Sequence, residues 1–389
     1  MSVWNDILSI AQRELRIIRN RPLYIIGSVG VFAFCVIFFL TFFQAGLPSD
    51  LPIGVVDYDN SSMSRNFTQQ LDATQLGSVV GYADFASARE DMMSGKITSI
   101  VLIPKGLNED VQSLRQPQIT FYINGLYFVG GALAYKDILT MVNMANGAVQ
   151  REIFRQKGYH DQQIMGLIQP VRIDTHQIGN AFTNYGYYLT NIFLPGILGM
   201  IIMLIIIYSL GAELKYGTSR HLLNMSGHSM TVALTGKLLV WTVLFCTLGA
   251  LLIWLLYAWM HFPIAGSKWN MLLNMVLFVL ASEAIAIFII GLIPVPRLAL
   301  SISALYSVMA FTMSGFTLPV EAMPAYIQGV AAIFPLRCYY LFYVQEVIFG
   351  SGFAGWWPQV VYMLVFLLLP VTVMVRLKKA YIKQNFPKD

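Results

Sequence analysis

The sequence predicts an α-helical polytopic membrane protein with six transmembrane helices and an extracytoplasmic α/β domain between helices one and two. Three observations carry that prediction. Of 389 residues, 57% are hydrophobic and 12% are charged, against about 25% charged in an ordinary soluble protein. Apolar runs of about 20 residues recur, each long enough to cross a hydrocarbon core about 30 Å thick. The stretch 44–186 alone is polar enough to fold in water, and it is near the common domain size of about 100–150 residues.

Residues 1–22 read as a cytoplasmic interfacial elbow helix. Trp4, Ile7, Leu8, Ala11, Leu15 and Ile18 fall on one helical face, and Asn5, Arg13, Arg16 and Arg19 on the other. Such a helix lies along the membrane surface with its arginines near anionic headgroups. The first span, 23–43, exceeds the apolar core of about 7–15 residues of a signal peptide and reads as a retained anchor. Spans at 187–210, 232–260, 271–293, 298–318 and 359–375 follow.

Orientation comes from the short flanks. Arg13, Arg16, Arg19 and Arg21 precede helix one; Lys215, Arg220 and Lys237 follow helix two; Arg297 follows helix four. Arg376, Lys378, Lys379, Lys383 and Lys388 follow helix six, whereas the opposite short loops carry only Lys268 and Arg337. Both termini are therefore expected in the cytoplasm, with 211–231 as an inner loop and 376–389 as a basic tail. The net charge of +5 serves topology, and nucleic acid is not an expected partner.

Within 44–186, short β-branched strands are expected at 53–56, 97–103 and 119–123, and helices at 62–71, 87–93 and 135–155. Asp57 and Asp59 at a strand end invite a Mg²⁺ reading. No partner lysine, third acid or glycine-rich loop accompanies them, so a turn or helix-capping role is preferred.

Little else suggests chemistry. Gly95-Lys96 and Gly236-Lys237 lack the rest of a phosphate-binding loop, and neither HExxH nor GxSxG occurs. Cys35, Cys246 and Cys338 have no ligand spacing, and the five histidines form no metal set. An enzyme is not expected, nor a metal or cofactor bound by this chain. Glu283 is the one acid deep within an expected span, where an ionised carboxylate costs about 2.5–3.5 kcal/mol or more. Two readings stay open for it, a substrate-path or proton-relay group and a hydrogen-bonded interior residue. From 319 to 349 the chain is apolar yet broken by Pro319, Pro324 and Pro335, with Glu321, Arg337 and Glu346 embedded. Re-entrant half-helices near the outer leaflet, with Arg337 paired to Glu346, are expected there.

After the second span stands Glu213-Leu214-Lys215-Tyr216-Gly217-Thr218, then Leu222-Leu223, then Gly236-Lys237. This pattern resembles the E-x-x-x-G-T…L-L…G-K signature of membrane subunits of type-2 ABC exporters. Arg13-Glu14-Leu15 through Pro22 resembles that family's elbow, and Gly315, Leu318-Pro319, Met323-Pro324 and Phe334-Pro335-Leu336-Arg337 its broken segment. Ile53 to Asp57 and Ile103-Pro104 resemble its outer-domain strands. One departure is 224–228, without the proline that many relatives carry after the paired leucines.

The resemblance implies a permease subunit in a bacterial inner membrane, exporting drugs, lipids or polysaccharides. It implies a second permease protomer, identical or paralogous, and a cytoplasmic ABC ATPase that supplies the ATP and Mg²⁺ chemistry. It also implies coupling through Glu213, Gly217, Thr218, Leu222 and Leu223, with Glu213 paired to the ATPase or to an elbow residue such as Arg16. An envelope adaptor on the outer domain is a further implied partner. Rival readings are a receptor or mechanotransmitter without a conduit, and a proton-coupled transporter using Glu283.

Overall fold

Pro22 sets the first boundary of the fold, because its ring lacks an N–H and suits the first position of a helix. In the computed structural model, which describes residues 3–44, 46, 50–74, 77–113, 115–125, 128–170, 176, 178–180 and 184–383, it separates α1 (Val3–Asn20) from α2 (Pro22–Phe42). Next come β1 (Leu51–Asp57), α3 (Ser62–Asp72), β2 (Gly77–Tyr82), α4 (Phe85–Met93) and β3 (Ser99–Ile103). They are followed by α5 (Leu107–Gln112), β4 (Thr120–Ile123), α6 (Phe128–Gln156) and α7 (Asp161–Ile168). The last eight helices are α8 (Tyr185–Lys215), α9 (Ser219–Met225), α10 (Met230–Trp259), α11 (Lys268–Leu292), α12 (Pro296–Met313), α13 (Ala325–Ala331), α14 (Pro335–Ile348) and α15 (Phe353–Lys383). The chain divides into two units, Met1–Gln44 with Gln177–Asp389, and Ala45–His176.

In the helical unit, α2, α8, α10, α11, α12 and α15 are long and apolar enough to cross a membrane. The chain is a predominantly helical membrane protein with about six apolar candidate spans, as expected, and the bent pair α13 with α14 would make a seventh if it crosses as one span. Along their apolar windows α11 is 78% and α8 67% buried, against 17% for α2 and α15, so α8 and α11 form the centre of the unit. Lipid tails offer no apolar drive for helix association, and close backbone approach substitutes for it. A Cβ on Gly199 of α8 would lie 2.7 Å from the Phe278 ring of α11. On the perimeter, α2 exposes Phe34, Ile37, Phe38 and Phe42.

Some boundaries move. Asn184 caps α8 by accepting from the Tyr187 N–H at 3.2 Å, and it is itself held by Asn180 at 2.8 Å. This pair draws the chain after His176 into the helical unit, so the α/β unit spans 45–176 rather than 44–186. The basic tail expected from 376 is a continuation of α15 as far as Lys383, with Leu377 and Tyr381 fully buried. Lys388 and the rest of 384–389 lie outside the described residues.

The proline-rich segment is a bent helix pair. Pro319 precedes a short 3₁₀ turn at Val320–Ala322, Pro324 sits just before α13, and Pro335 opens α14, which meets α13 at 91°. Gly315 takes the left-handed conformation (φ +94°) past the end of α12. Arg337 does not pair with Glu346. It reaches Glu321 at 3.2 Å, because Glu346 lies at the far end of α14, nine residues along the helix.

The α/β unit holds a four-stranded sheet in the order β2-β1-β3-β4, with β1 parallel to β2 and β3, and β4 antiparallel to β3. Ile53 and Val55 of β1 join Val101 and Ile103 of β3 under Phe67, Leu71, Leu107 and Ile138. Val56 and Ile100 face the other way, onto Ala88. Both faces are thus covered, which is why Ile53, Val55 and Val56 of β1 show no alternation with polar residues. The three expected strands overlap β1, β3 and β4, with 97–98 and 119 falling just before the strands that form. Asp57 and Asp59 serve turns: the Asp59 and Asn60 N–H groups donate to Asp57 Oδ1, while Asp59 accepts from Gly106 at 2.8 Å and Asn108 at 3.3 Å, at the start of α5.

Candidate functional site

On α1, Ile7, Ile10, Ala11 and Glu14 are buried at helical spacing, so the stripe that packs on protein ends in an acid. Trp4, Leu8 and Leu15 stay exposed: the apolar face expected of the elbow is two faces, one packed on α10 and one open. The approach to α10 is closest at Gly236, where a Cβ would lie 2.9 Å from Ile10 Cβ and the Ile7 carbonyl.

One residue further, Lys237 turns inward. Its Nζ donates to Glu14 Oε2 at 2.6 Å and to Glu213 Oε1 at 2.9 Å. Glu14 Oε1 accepts from Ser209 Oγ at 2.7 Å and Trp241 Nε1 at 3.0 Å. Arg13 closes the group with two parallel bonds of 2.9 Å to Glu213. Glu14, Glu213 and Lys237 are each at most 2% exposed. Two carboxylates and two cations balance, and all four carboxylate oxygens have donors, the condition under which buried ions are tolerated. Burial works to lower the Arg13 pKa, but the hydrogen bonds and charge of Glu213 outweigh it and raise it above the ordinary value.

The spacing Glu213-x-x-x-Gly217-Thr218 has a geometric reason. Gly217 takes a left-handed conformation (φ +68°) just past the end of α8. Its N–H donates to the Leu214 carbonyl at 3.3 Å, and the Thr218 N–H to the Glu213 carbonyl at 3.0 Å, which is the Schellman helix ending. That fold-back brings the Thr218 hydroxyl onto Glu213 Oε2. The threonine therefore ties the loop to the ion network, and it makes no side-chain cap for α9.

Leu222 and Leu223 are buried beneath α9, whose exposed face is Arg220, His221 and Asn224. The C-terminal helix seats it: Ser219 Oγ donates to the Tyr381 carbonyl at 2.8 Å and Arg220 Nε to the Ile382 carbonyl at 2.9 Å. Without a proline, 224–228 turns by the same device as before, with Gly227 and His228 left-handed and the His228 N–H on the Leu223 carbonyl at 2.8 Å.

Of the residues singled out in the sequence, Arg13, Glu14, Glu213 and Thr218 meet in one site. The elbow partner of Glu213 is Arg13 and not Arg16. At about 100° per residue, Arg13 flanks Glu14 by one step, whereas Arg16 is two steps beyond it. Arg16 and Arg19 are exposed. Glu283 stands apart, buried between α11 and α10, accepting from Thr242 Oγ1 at 2.7 Å. Gly315, Pro319, Pro324, Pro335 and Arg337 shape the bent pair. Glu346 is fully interior, taking the Ser267 N–H, Asn270 Nδ2 and Trp356 Nε1. Lys237, which joins both acids, was legible as a flanking charge and as the end of the E-x-x-x-G-T…L-L…G-K pattern, but not as the partner of either acid. The signal that could have marked it is its place eight residues into an apolar helix, opposite an acid at the stripe position 14 of the elbow.

Residues 22–376 match the family described as ABC-2 family transporter protein. The inner membrane transport permease YhhJ of Escherichia coli (strain K12) is 24% identical over 312 residues, covering 79% of this chain and 79% of its own length. The protein of that name in Shigella flexneri matches equally.

Proposed function

The chain belongs to the ABC-2 transporter family, and from that premise we propose that it is the permease subunit of an ATP-driven exporter. Two protomers enclose a path for a hydrophobic or amphipathic substrate, and a separate cytoplasmic ATPase binds ATP and Mg²⁺. Both termini and α9 face the cytoplasm, and the α/β unit is extracytoplasmic, where it caps the exit or hands substrate to an envelope partner.

The observation that supports coupling at α9 is the Glu213 network. A push on the exposed face of α9 reaches Thr218, from there Glu213, and through Arg13 and Lys237 both the elbow and α10. Separating any of these charges inside the protein costs about 3–5 kcal/mol. The three helix ends therefore move as one body or exchange partners, and either transmits closure of the ATPase to the spans.

The test is purification of the full chain with its ATPase in mild detergent, with hydrolysis and transport measured for wild type, Glu213→Ala and Gly217→Val. A stoichiometric ATPase is expected with the wild type, and transport is expected to be lost in both variants while membrane insertion persists. Wild-type transport in either variant sinks the coupling role. A chain that retains no ATPase in several lipids transfers weight to a receptor-like relay or to proton coupling. One observation favours the latter: Glu283 Oε1 is buried with no hydrogen-bond partner among the described residues.

A further inference from the structure

Beside the ion network lies a cavity of about 390 Å³, lined in part by Arg13, Arg16, Asn20, Arg21, Glu213 and Lys237. Its volume falls in the range of about 300–1,000 Å³ usual for small-molecule sites. Its charge is unbalanced. Lys237 and Arg13 are already matched by Glu14 and Glu213, so the charges of Arg16 and Arg21 are surplus. Arg16 makes no hydrogen bond or ion pair among the described residues. The Arg21 guanidinium carbon lies over the Tyr216 ring, 4.3 Å from its centroid, a cation–π contact that holds the guanidinium in place and uses none of its N–H donors. Arg13, Arg16 and Asn20 follow one another at i, i+3 and i+7 along α1, so a single helix face presents them together.

The surplus calls for an anion with several acceptor oxygens, which describes a phosphate group. Its source follows from where the cavity sits. Arg21 is the last residue before the span that begins at Pro22, and the residues flanking the arginines, Leu15, Leu23, Ile25 and Ile26, are exposed and apolar. Phosphate at that level is the phosphodiester of a membrane lipid, whose acyl chains would run along the exposed face of α2. We propose that this cavity binds the phosphate of an anionic phospholipid through Arg16, Arg21 and Asn20, next to the Glu213 network. The inference uses only the membrane placement of α1 and α2 and does not depend on the ATPase.

The experiment uses the full chain without an ATPase, delipidated in mild detergent and titrated with phosphatidylglycerol or phosphatidylcholine, with binding read by native mass spectrometry. The wild type is expected to prefer phosphatidylglycerol. The Arg16→Gln/Arg21→Gln double variant is expected to lose that preference by about tenfold or more. Arg19→Gln removes a like charge from α1 without touching the cavity lining, and it should retain it. Because Arg16 is exposed and has no partner among the described residues, Arg16→Gln alone serves if the double variant misfolds, and Arg16→Lys should restore part of the binding. Equal losses for Arg19→Gln and Arg16→Gln would mean general electrostatic attraction and would overturn the site. So would equal binding of the two lipids. Full competition by millimolar inorganic phosphate would make the ligand a free anion and overturn the lipid assignment, and displacement of the lipid by the bound ATPase would make the cavity a seat for that partner.

Discussion

Two ends of the helical unit bury carboxylates in opposite ways. Where α1, α8 and α10 meet, Glu14 and Glu213 are neutralised by Lys237 and Arg13. At the other end, where α10 turns into α11, Glu346 is 1% exposed and meets no cation among the described residues. Its donors are neutral: the Ser267 N–H at 2.6 Å, Asn270 Nδ2 at 2.8 Å and Trp356 Nε1 at 2.8 Å. Two of these come from the N-cap and first turn of α11, whose helix dipole favours an anion. Neutral donors of fixed direction specify one geometry and suit an anchor, here for the end of the bent pair. Cations with several donors each can trade one carboxylate for another, which suits a joint.

The largest effect that would break this comparison is at Lys237. Lys237→Met leaves Glu213 on Arg13 and Glu14 without an ion-pair partner, an uncompensated buried charge that costs about 3–5 kcal/mol. Thermal unfolding of the purified chain should show a large fall in Tm, and adding Glu14→Gln should recover part of it. Glu213→Gln should cost less, since Lys237 keeps Glu14 and Arg13, the most exposed member of the group, can turn to water. A Lys237→Met chain as stable as wild type would mean the charges do not act as one unit.

The difference between the two ends was partly visible in the sequence. The spans were legible because hydrocarbon thickness imposes their length, and Gly217 and Thr218 through the family pattern, whose glycine is the residue that the left-handed turn favours. Strand β2 was not read: Gly77, Ser78 and Gly81 break up its strand formers Val79, Val80 and Tyr82. Short α5 and α7 lacked enough turns to show a period. Partner choice was the harder matter. Arg13 over Arg16, and Glu321 over Glu346 for Arg337, depend on rotations of a helix by single residues, which membrane topology does not fix. The Glu346 donors lie 79, 76 and 10 residues away, and only the tertiary fold assembles them.

A smaller effect sharpens the anchor side. In Glu346→Gln the amide oxygen can keep Ser267 and Asn270, but its NH₂ then faces the Trp356 N–H, donor against donor. Losing a hydrogen bond to a charged group costs about 1.5–3 kcal/mol, and Tm should fall by less than in Lys237→Met. Trp356→Phe on top of Glu346→Gln removes the conflict, so the pair should cost less than the sum of the single changes. Additive losses would show that Trp356 holds Glu346 by its ring, stacked 4.6 Å from Phe342, and not by its N–H.

The smallest effect comes from Asp59 in the α/β unit, which resembles Glu346 in taking neutral donors but does so at a half-exposed position. Its carboxyl is held below the ordinary range first by the Ser61 hydroxyl, against the opposing pull of desolvation, and then by the N–H groups of Gly106, Asn108 and Leu107. A lowered folded pKa means that the contribution is complete above the unfolded value of about 3.9 and disappears as pH falls through the folded one. Hydrogen exchange at residues 107–110 of the full chain, corrected for intrinsic rate, should therefore be flat from about pH 7 to 5 and quicken below about pH 4. Asp59→Asn should lower protection several-fold at neutral pH, as loss of a cap does, and remove the acid step. Solvent screening keeps this effect well under that of Glu346 although the donors are alike. If Asp59→Asn destabilised as much as Glu346→Gln, donor number alone would set the strength of an anchor, and burial would lose its place in the contrast between the two ends.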